Sequence, residues 1–268
     1  MECLTLNTGV KMPLVGLGTW DLRGEICISL VSEAIQLGYR LIDTAQMYAN
    51  EKEVGQGISK ASVNREDLFI TTKLDSRSNG YKQTRNGIVH SLDNLNLDYV
   101  DLLLVHEPYS NDIAMYEAMA EAHHDGKVKA IGISNYDQQR FEQFLKKVDI
   151  IPVVNQVECH IQFQKSSLQQ ELKEHGTAMQ AWSPLGQGKI GIDQQPELIQ
   201  LAEKYKKSPA QIVLRFLTQR GISVIPKTRR IELLEENMSI FDFQLLPEEM
   251  NRIKSLDRDE TLFSWTEY

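Results

Sequence analysis

The feature of this sequence that most narrows its fold is a rhythm. Short apolar runs of strand type alternate with stretches of helical spacing. The strand-like runs are residues 14–17, 41–43, 68–73, 100–105, 128–133, 153–157, 178–182 and 223–225. Between them, Ile28, Val31, Ala34, Ile35 and Leu37 recur at helical spacing, as do Ala210, Val213, Leu214 and Leu217; residues 114–124 make another such stretch. Gly38, Gly126, Gly176 and Gly221 stand where those helices must stop. A left-handed residue there ties up the last carbonyls, and glycine reaches that conformation without a steric cost. Eight strand-then-helix units in roughly 250 residues are what an α/β (β/α)8 TIM barrel requires. A doubly wound open sheet is the rival reading of the same rhythm. Ahead of the first unit, Leu4-Thr5-Leu6 and Lys11-Met12 flank Asn7-Thr8-Gly9, a hairpin suited to closing the barrel floor.

No Pro/Ser-rich linker or block of like charge interrupts residues 1–268, so one barrel domain is expected. Of those residues 41% are hydrophobic, enough for a sizeable core without crosslinks. A net charge of −8 repels phosphate backbones and argues against a nucleic-acid partner. Cys3, Cys27 and Cys159 are odd in number and far apart, which fits a reducing, cytoplasmic setting better than a disulfide framework. The first residues lack a basic region followed by an apolar run, so no secretory signal is expected. Apolar runs such as 102–105 are far too short for a bilayer span. His123-His124 and Cys159-His160 do not make a metal site, because helical neighbours point about 100° apart and no further ligands follow at zinc-like spacing.

Barrel catalytic groups gather where strands end. The second strand ends at Asp43, with Tyr48 five residues on; the third ends at Lys73 and the fourth at His106. An acid, a phenol, an ammonium and an imidazole at one rim suit the reduction of a carbonyl, where oxygen needs a proton as hydride reaches carbon. A tyrosine of pKa ~10 is a reluctant donor, and a nearby ammonium eases its loss of a proton. A neutral His106 can orient the carbonyl oxygen, and Asp43 can serve as counter-ion to a buried Lys73. Taken singly, each has a plainer reading: a structural ion pair, a packed histidine, a tyrosine at a barrel mouth.

The stretch Asp43-Thr44-Ala45-Gln46-Met47-Tyr48-Ala49-Asn50-Glu51 resembles the catalytic motif of the aldo-keto reductases. In family order follow Gly16-Leu17-Gly18-Thr19-Trp20, Thr72-Lys73, Val105-His106-Glu107-Pro108 and Gly132-Ile133-Ser134-Asn135-Tyr136. Asn155-Gln156-Val157-Glu158, Trp182-Ser183-Pro184-Leu185-Gly186 and Ile225-Pro226-Lys227-Thr228 complete a match from about residue 9 to residue 257. The resemblance implies reduction of aldehydes or ketones by hydride from NADPH, with Tyr48 as proton donor. It implies that Ser134, Asn135 and Gln156 hold the nicotinamide carboxamide and that Trp182 stacks on its ring. Thr19 falls among the cofactor contacts. Ser183, Leu185 and the loop after them line the pyrophosphate. Lys227 and Thr228 meet the 2′-phosphate, and Glu236 and Asn237 the adenine. Trp20 and Glu107 edge the substrate pocket. A monomer is the family expectation, with a small carbonyl compound as the partner. The alternative within the family is a cofactor-binding regulatory subunit with little turnover; outside it, a barrel isomerase or lyase without nicotinamide.

Several positions depart from the family pattern. Ala49 stands where glycine is usual, and Glu107 replaces a frequent tryptophan, which disfavours acidic substrates. Cys159 replaces a frequent aromatic. Leu233 replaces an arginine that commonly meets the 2′-phosphate; Arg229 or Arg230 is the expected substitute, and the NADPH preference rests on Lys227, Thr228 and Arg230. Gly186-Gln187-Gly188-Lys189-Ile190-Gly191 fits G-x-G-x-x-G, but Pro184 and Leu185 separate it from the strand and no clean helix follows. It is expected to be a mobile loop over the cofactor. The short tail, edged by Trp265, suggests an open pocket.

Overall fold

The structure is a computed structural model and describes residues 2–263. It opens with β1 (Cys3–Thr5) and β2 (Lys11–Pro13), antiparallel, with Leu4 opposite Met12. Eight parallel strands follow: β3 (Gly16–Gly18), β4 (Leu41–Asp43), β5 (Phe69–Leu74), β6 (Leu102–Val105), β7 (Ile131–Ser134), β8 (Val154–Glu158), β9 (Ala178–Trp182) and β10 (Ser223–Val224). Each pairs with its neighbour in chain order. A parallel bridge between Val15 and Val224 closes the ring, with the Val224 amide donating to the Leu14 carbonyl at 2.8 Å. Sequential order and closure together remove the doubly wound alternative, whose sheet is open and reverses direction.

Helices α1 (Gly24–Gln36), α2 (Glu51–Lys60), α3 (Tyr81–Leu95), α4 (Asp112–His124), α5 (Gln138–Leu145) and α6 (Ser166–Glu174) each follow one strand. Between β9 and β10 lie α7 (Pro196–Tyr205) and α8 (Pro209–Gln219); α9 (Glu232–Met238) and α10 (Pro247–Lys254) end the series. Helix α8 starts on a capping box: the Ser208 hydroxyl accepts from the Gln211 amide while the Gln211 side chain accepts from the Ser208 amide, and Pro209 needs no partner for an N–H it lacks. Gly126, Gly176 and Gly221 do take positive φ just past α4, α6 and α8. A methyl group on Gly57 would sit 2.7 Å from Val31 Cβ, so only glycine lets α2 lie this close to α1.

The alternation of the strands divides the core in two. Ile42, Ile70, Leu103, Val105, Ile131 and Ile133 point outward and pack under the helices. Leu41, Phe69, Leu102, Leu104 and Val154 point inward, and Leu6 and Met12 of the hairpin pack against them from below. The floor is therefore apolar and plugged. One step further along the same strands, the inward positions become Asp43, Lys73, Ser134, Gln156 and Gln180, all buried. The chemistry sits on top of an apolar base, at the carboxyl ends of the strands.

Candidate active site

Lys73 is fully buried and its ammonium has three acceptors: Asp43 Oδ1 at 2.5 Å, the Thr44 carbonyl at 3.1 Å and the Tyr48 hydroxyl at 3.2 Å. Three N–H groups for three acceptors is the inventory of a charged lysine. Asp43 Oδ2 accepts a further bond from Gln156 Nε2 at 2.7 Å. Burial pushes the Asp43 carboxyl up, against the pull of Lys73 and Gln156. Burial likewise opposes the charge on Lys73, but Asp43 and Tyr48 outweigh it and raise the ammonium pKa. The donors aimed at both Asp43 oxygens decide for the ionised pair.

Tyr48 is carried by a single turn, Gln46–Tyr48, that ends on Ala49 at φ +51. That left-handed residue is where the family usually has glycine, and alanine there costs about 1–2 kcal/mol. Asn50 secures the turn, donating to the Thr19 and Leu22 carbonyls and accepting from the Thr44 hydroxyl. Thr19 in turn donates to the Asp43 carbonyl at 2.9 Å. Burial raises the Tyr48 pKa, and Lys73 opposes it. The phenol keeps its proton at neutral pH. Because its oxygen accepts from Lys73, its own O–H is left to donate elsewhere. The His106 ring meets the Tyr48 ring edge-on at 5.6 Å. Burial first, and Lys73 second, hold the imidazole well below its ordinary pKa, so it is neutral.

The residues expected at the carboxamide are brought together, though each already has partners. Ser134 donates to the Gln156 carbonyl at 2.8 Å. Asn135, at φ +65, donates to the His106 carbonyl and to Glu107 Oε1, and accepts from the Trp182 indole at 2.8 Å. Ser183 also takes positive φ, and its hydroxyl accepts from Gln187. Leu185 packs on the main core. Gly186, Gly188 and Gly191 all have positive φ and no α-helix begins on them, so this loop is unlike a Rossmann phosphate turn.

The other end of the mouth is looser. Lys227 is exposed, 5.7 Å from the centre of the half-exposed Trp20 ring. Burial and the charge of Arg229 lower its pKa. Arg229 pairs with Asp21 at 2.6 Å, Arg230 is exposed, and the buried Thr228 hydroxyl binds the Arg230 backbone. The Glu236 carboxylate accepts from Ser208 at 2.5 Å, at the start of α8, and Asn237 is buried.

Two features escape a reading of the sequence. Gln180, on β9, lies inside the barrel beside Gln156. The segment after α10 is also fastened down. Glu158 accepts from Thr261 and from the Leu262 amide and pairs with the buried His160 at 3.0 Å. Phe263 then packs on Trp182 at 5.3 Å. Residues up to 263 thus form a strap rather than an open edge, while Trp265 lies outside the described residues. Cys159 is buried and donates to the Gln164 carbonyl of the loop that the strap crosses.

The profile of the aldo/keto reductase family matches residues 14–258. Glyoxal reductase of Bacillus subtilis (strain 168) is 41% identical over 261 residues, 97% of this chain and 94% of that protein. The crystal structure of an aldo-keto reductase from a Medee basin deep-sea metagenome superposes with a TM-score of 0.95 at 36% identity, over 97% of each chain. That of a Bombyx mori aldo-keto reductase in complex with NADP gives 0.93 at 32% identity, over 100% of this chain and 97% of that one. With the buried lysine–aspartate pair, the tyrosine and the histidine on this closed barrel, the chain belongs to the aldo/keto reductase family.

Proposed function

We propose that this chain reduces aldehydes and ketones to alcohols with NADPH, and that Tyr48 gives the proton. The observation that carries this reading is the Tyr48 hydroxyl at 3.2 Å from a fully buried Lys73, itself held at 2.5 Å by Asp43. The cofactor fits the residues present. The Gln156 side-chain carbonyl makes no hydrogen bond among the described residues, and an amide N–H of the carboxamide would satisfy it. Lys227, Arg229 and Arg230 crowd positive charge onto one loop of a chain whose net charge is −8, and a 2′-phosphate would relieve it. The Bombyx relative carries NADP.

When bound, NADPH supplies the hydride that reaches the carbonyl carbon. Everything else falls to the chain. Neutral His106 donates to the carbonyl oxygen and fixes its direction. Tyr48 passes its proton to that oxygen as negative charge develops there. Lys73, already aimed at the phenol oxygen, stabilises the tyrosinate left behind, and Asp43 keeps Lys73 charged. The rings of Trp182 and Trp20 would help to keep water from the reacting carbon. Glyoxal reductase among the relatives points to small aldehydes and dicarbonyls as substrates. NADPH oxidation followed by absorbance, with p-nitrobenzaldehyde and methylglyoxal and with NADH alongside, tests the reaction. Tyr48→Phe is expected to lose turnover by about 10²–10⁴-fold while still binding NADPH. Turnover retained in that variant removes Tyr48 from the role.

A further inference from the structure

We propose that Gln180 is a positioning residue for this reaction: from the neighbouring strand it sets which way the Gln156 amide faces. The inference rests on the NADPH reading above. Gln156, Gln180 and Ser223 stand side by side on β8, β9 and β10, paired in register, and are at most 1% exposed. They form one chain of bonds across the barrel interior. Gln156 Nε2 donates to Gln180 Oε1 at 2.7 Å, Gln180 Nε2 to Ser223 Oγ at 3.2 Å, and Ser223 Oγ to the Pro13 carbonyl at 3.1 Å.

The direction of every link follows from its ends. A backbone carbonyl only accepts, so Ser223 spends its single proton on Pro13. Ser223 must then accept from Gln180, which turns the Gln180 NH2 toward β10; the Met12 thioether, a weak acceptor at 3.8 Å, favours the same orientation. Gln180 therefore offers its carbonyl to Gln156. Gln156 must answer with its NH2, and the second hydrogen of that NH2 goes to Asp43. At the far end the ionised Asp43 carboxylate takes only one hydrogen of that NH2, which leaves the amide free to turn about that bond; Gln180 takes the other and fixes its plane. Flipping Gln180 would turn its carbonyl on the Ser223 oxygen, and flipping Gln156 would turn its carbonyl on Asp43; each sets two buried acceptors against each other.

One consequence reaches the cofactor. With both N–H groups of Gln156 committed, its side chain has only a carbonyl left to offer. It can accept from a carboxamide N–H but cannot donate. The Pro13 carbonyl, in the strand that plugs the floor, thereby makes the nicotinamide pocket selective for a ring bearing an amide donor. A second consequence reaches the acid–base group, since the same constraint keeps a donor on Asp43 and favours its charged form.

The test is a comparison of two ligands. Reduced NADPH and its reduced 3-acetylpyridine analogue differ at the amide, which the analogue replaces with a methyl ketone lacking N–H. Both are titrated by protein fluorescence against wild type, Gln180→Met and Ser223→Ala, with 2′,5′-ADP as a ligand that lacks the nicotinamide altogether. Wild type is expected to favour NADPH by about tenfold, the size of one well-made hydrogen bond. In Gln180→Met, which conserves volume but neither accepts nor donates in the same way, the preference should fall close to one. Ser223→Ala removes a single oxygen and should lower it less. Affinity for 2′,5′-ADP should be unchanged in both, which separates positioning from general loosening. A wild-type preference kept intact in both variants, each with a cooperative melting curve, overturns the role of Gln180. Should Gln180→Met not fold, Ser223→Ala decides alone. Wild type that binds neither nucleotide overturns the NADPH reading itself, before any variant is compared.

Discussion

The two ends of the barrel mouth are built on different terms. Around β4, β5 and β8, Asp43, Lys73 and Gln156 are at most 1% exposed, and each is held by two or three hydrogen bonds. After β10, the cations Lys227, Arg229 and Arg230 stand in solvent, and the one ion pair among them within the described residues, Arg229 with Asp21, is 58% exposed on the arginine and 50% on the aspartate. Charge that must act on a forming oxyanion works when it is fixed in advance and shielded from water. Charge that only captures a phosphate works through solvent and tolerates rearrangement. The first end accordingly keeps Asp43, Tyr48, Lys73 and His106 in the pattern the resemblance implies, although Ala49 and Glu107 beside them depart from it. The second has Leu233 where the resemblance leads one to expect an arginine, and still presents three cations.

The sharpest way to break that contrast is Lys73→Met. It should cut turnover by about 10²–10⁴-fold. It should also leave Asp43 buried without its ion, at a cost of about 3–5 kcal/mol of stability, read as a lowered melting temperature. A variant that melts like wild type would mean that the buried end is no more committed than the exposed one. The exposed end should respond more mildly and only to the phosphate. Arg230→Ala is expected to weaken NADPH about tenfold with NADH unchanged, by parallel fluorescence titrations. Arg229→Ala should cost less, since Asp21 already holds that guanidinium. Equal losses for both nucleotides would show that the loop shapes the pocket and does not read the phosphate.

The same contrast explains what the sequence reveals. The barrel is legible because strand and helix periods differ and the glycine stops fall on the beat. Strand limits shift where a single bridge replaces a ladder, as at Val15 with Val224 and Val100 with Val128. Asp43, Tyr48, Lys73 and His106 are legible because each sits at a strand end or, for Tyr48, on the turn that follows one, in a context short enough to recognise. Gln180 is not, because its meaning lies in Ser223 and Pro13, neighbours in space and distant in sequence. The strap is hidden for the same reason: nothing in Thr261 or Leu262 announces a bond to Glu158. The adenosine residues are legible only through resemblance. Glu236, expected at the adenine, spends its carboxylate on Ser208 here, a contact that local pattern does not disclose.

Glu107 lies on the border between the two kinds of construction, and the smallest expected effect belongs to it. Its carboxylate accepts from Asn135 at 2.9 Å, so it belongs to the fixed network. It is only partly buried, and it is among the groups that raise the Tyr48 pKa, so its charge is felt at the proton donor. Glu107→Gln keeps an acceptor for Asn135 and removes the charge. If the residue acts through its charge, kcat/KM for 4-carboxybenzaldehyde should rise about fivefold relative to 4-nitrobenzaldehyde, as expected from roughly 1 kcal/mol between partly solvated like charges. Added salt should shrink that gap in wild type and leave the variant unmoved. If both substrates change together and salt has no effect, Glu107 is part of the rigid frame that orients Asn135 and Trp182. The boundary between the two constructions would then lie further out, beyond the substrate pocket.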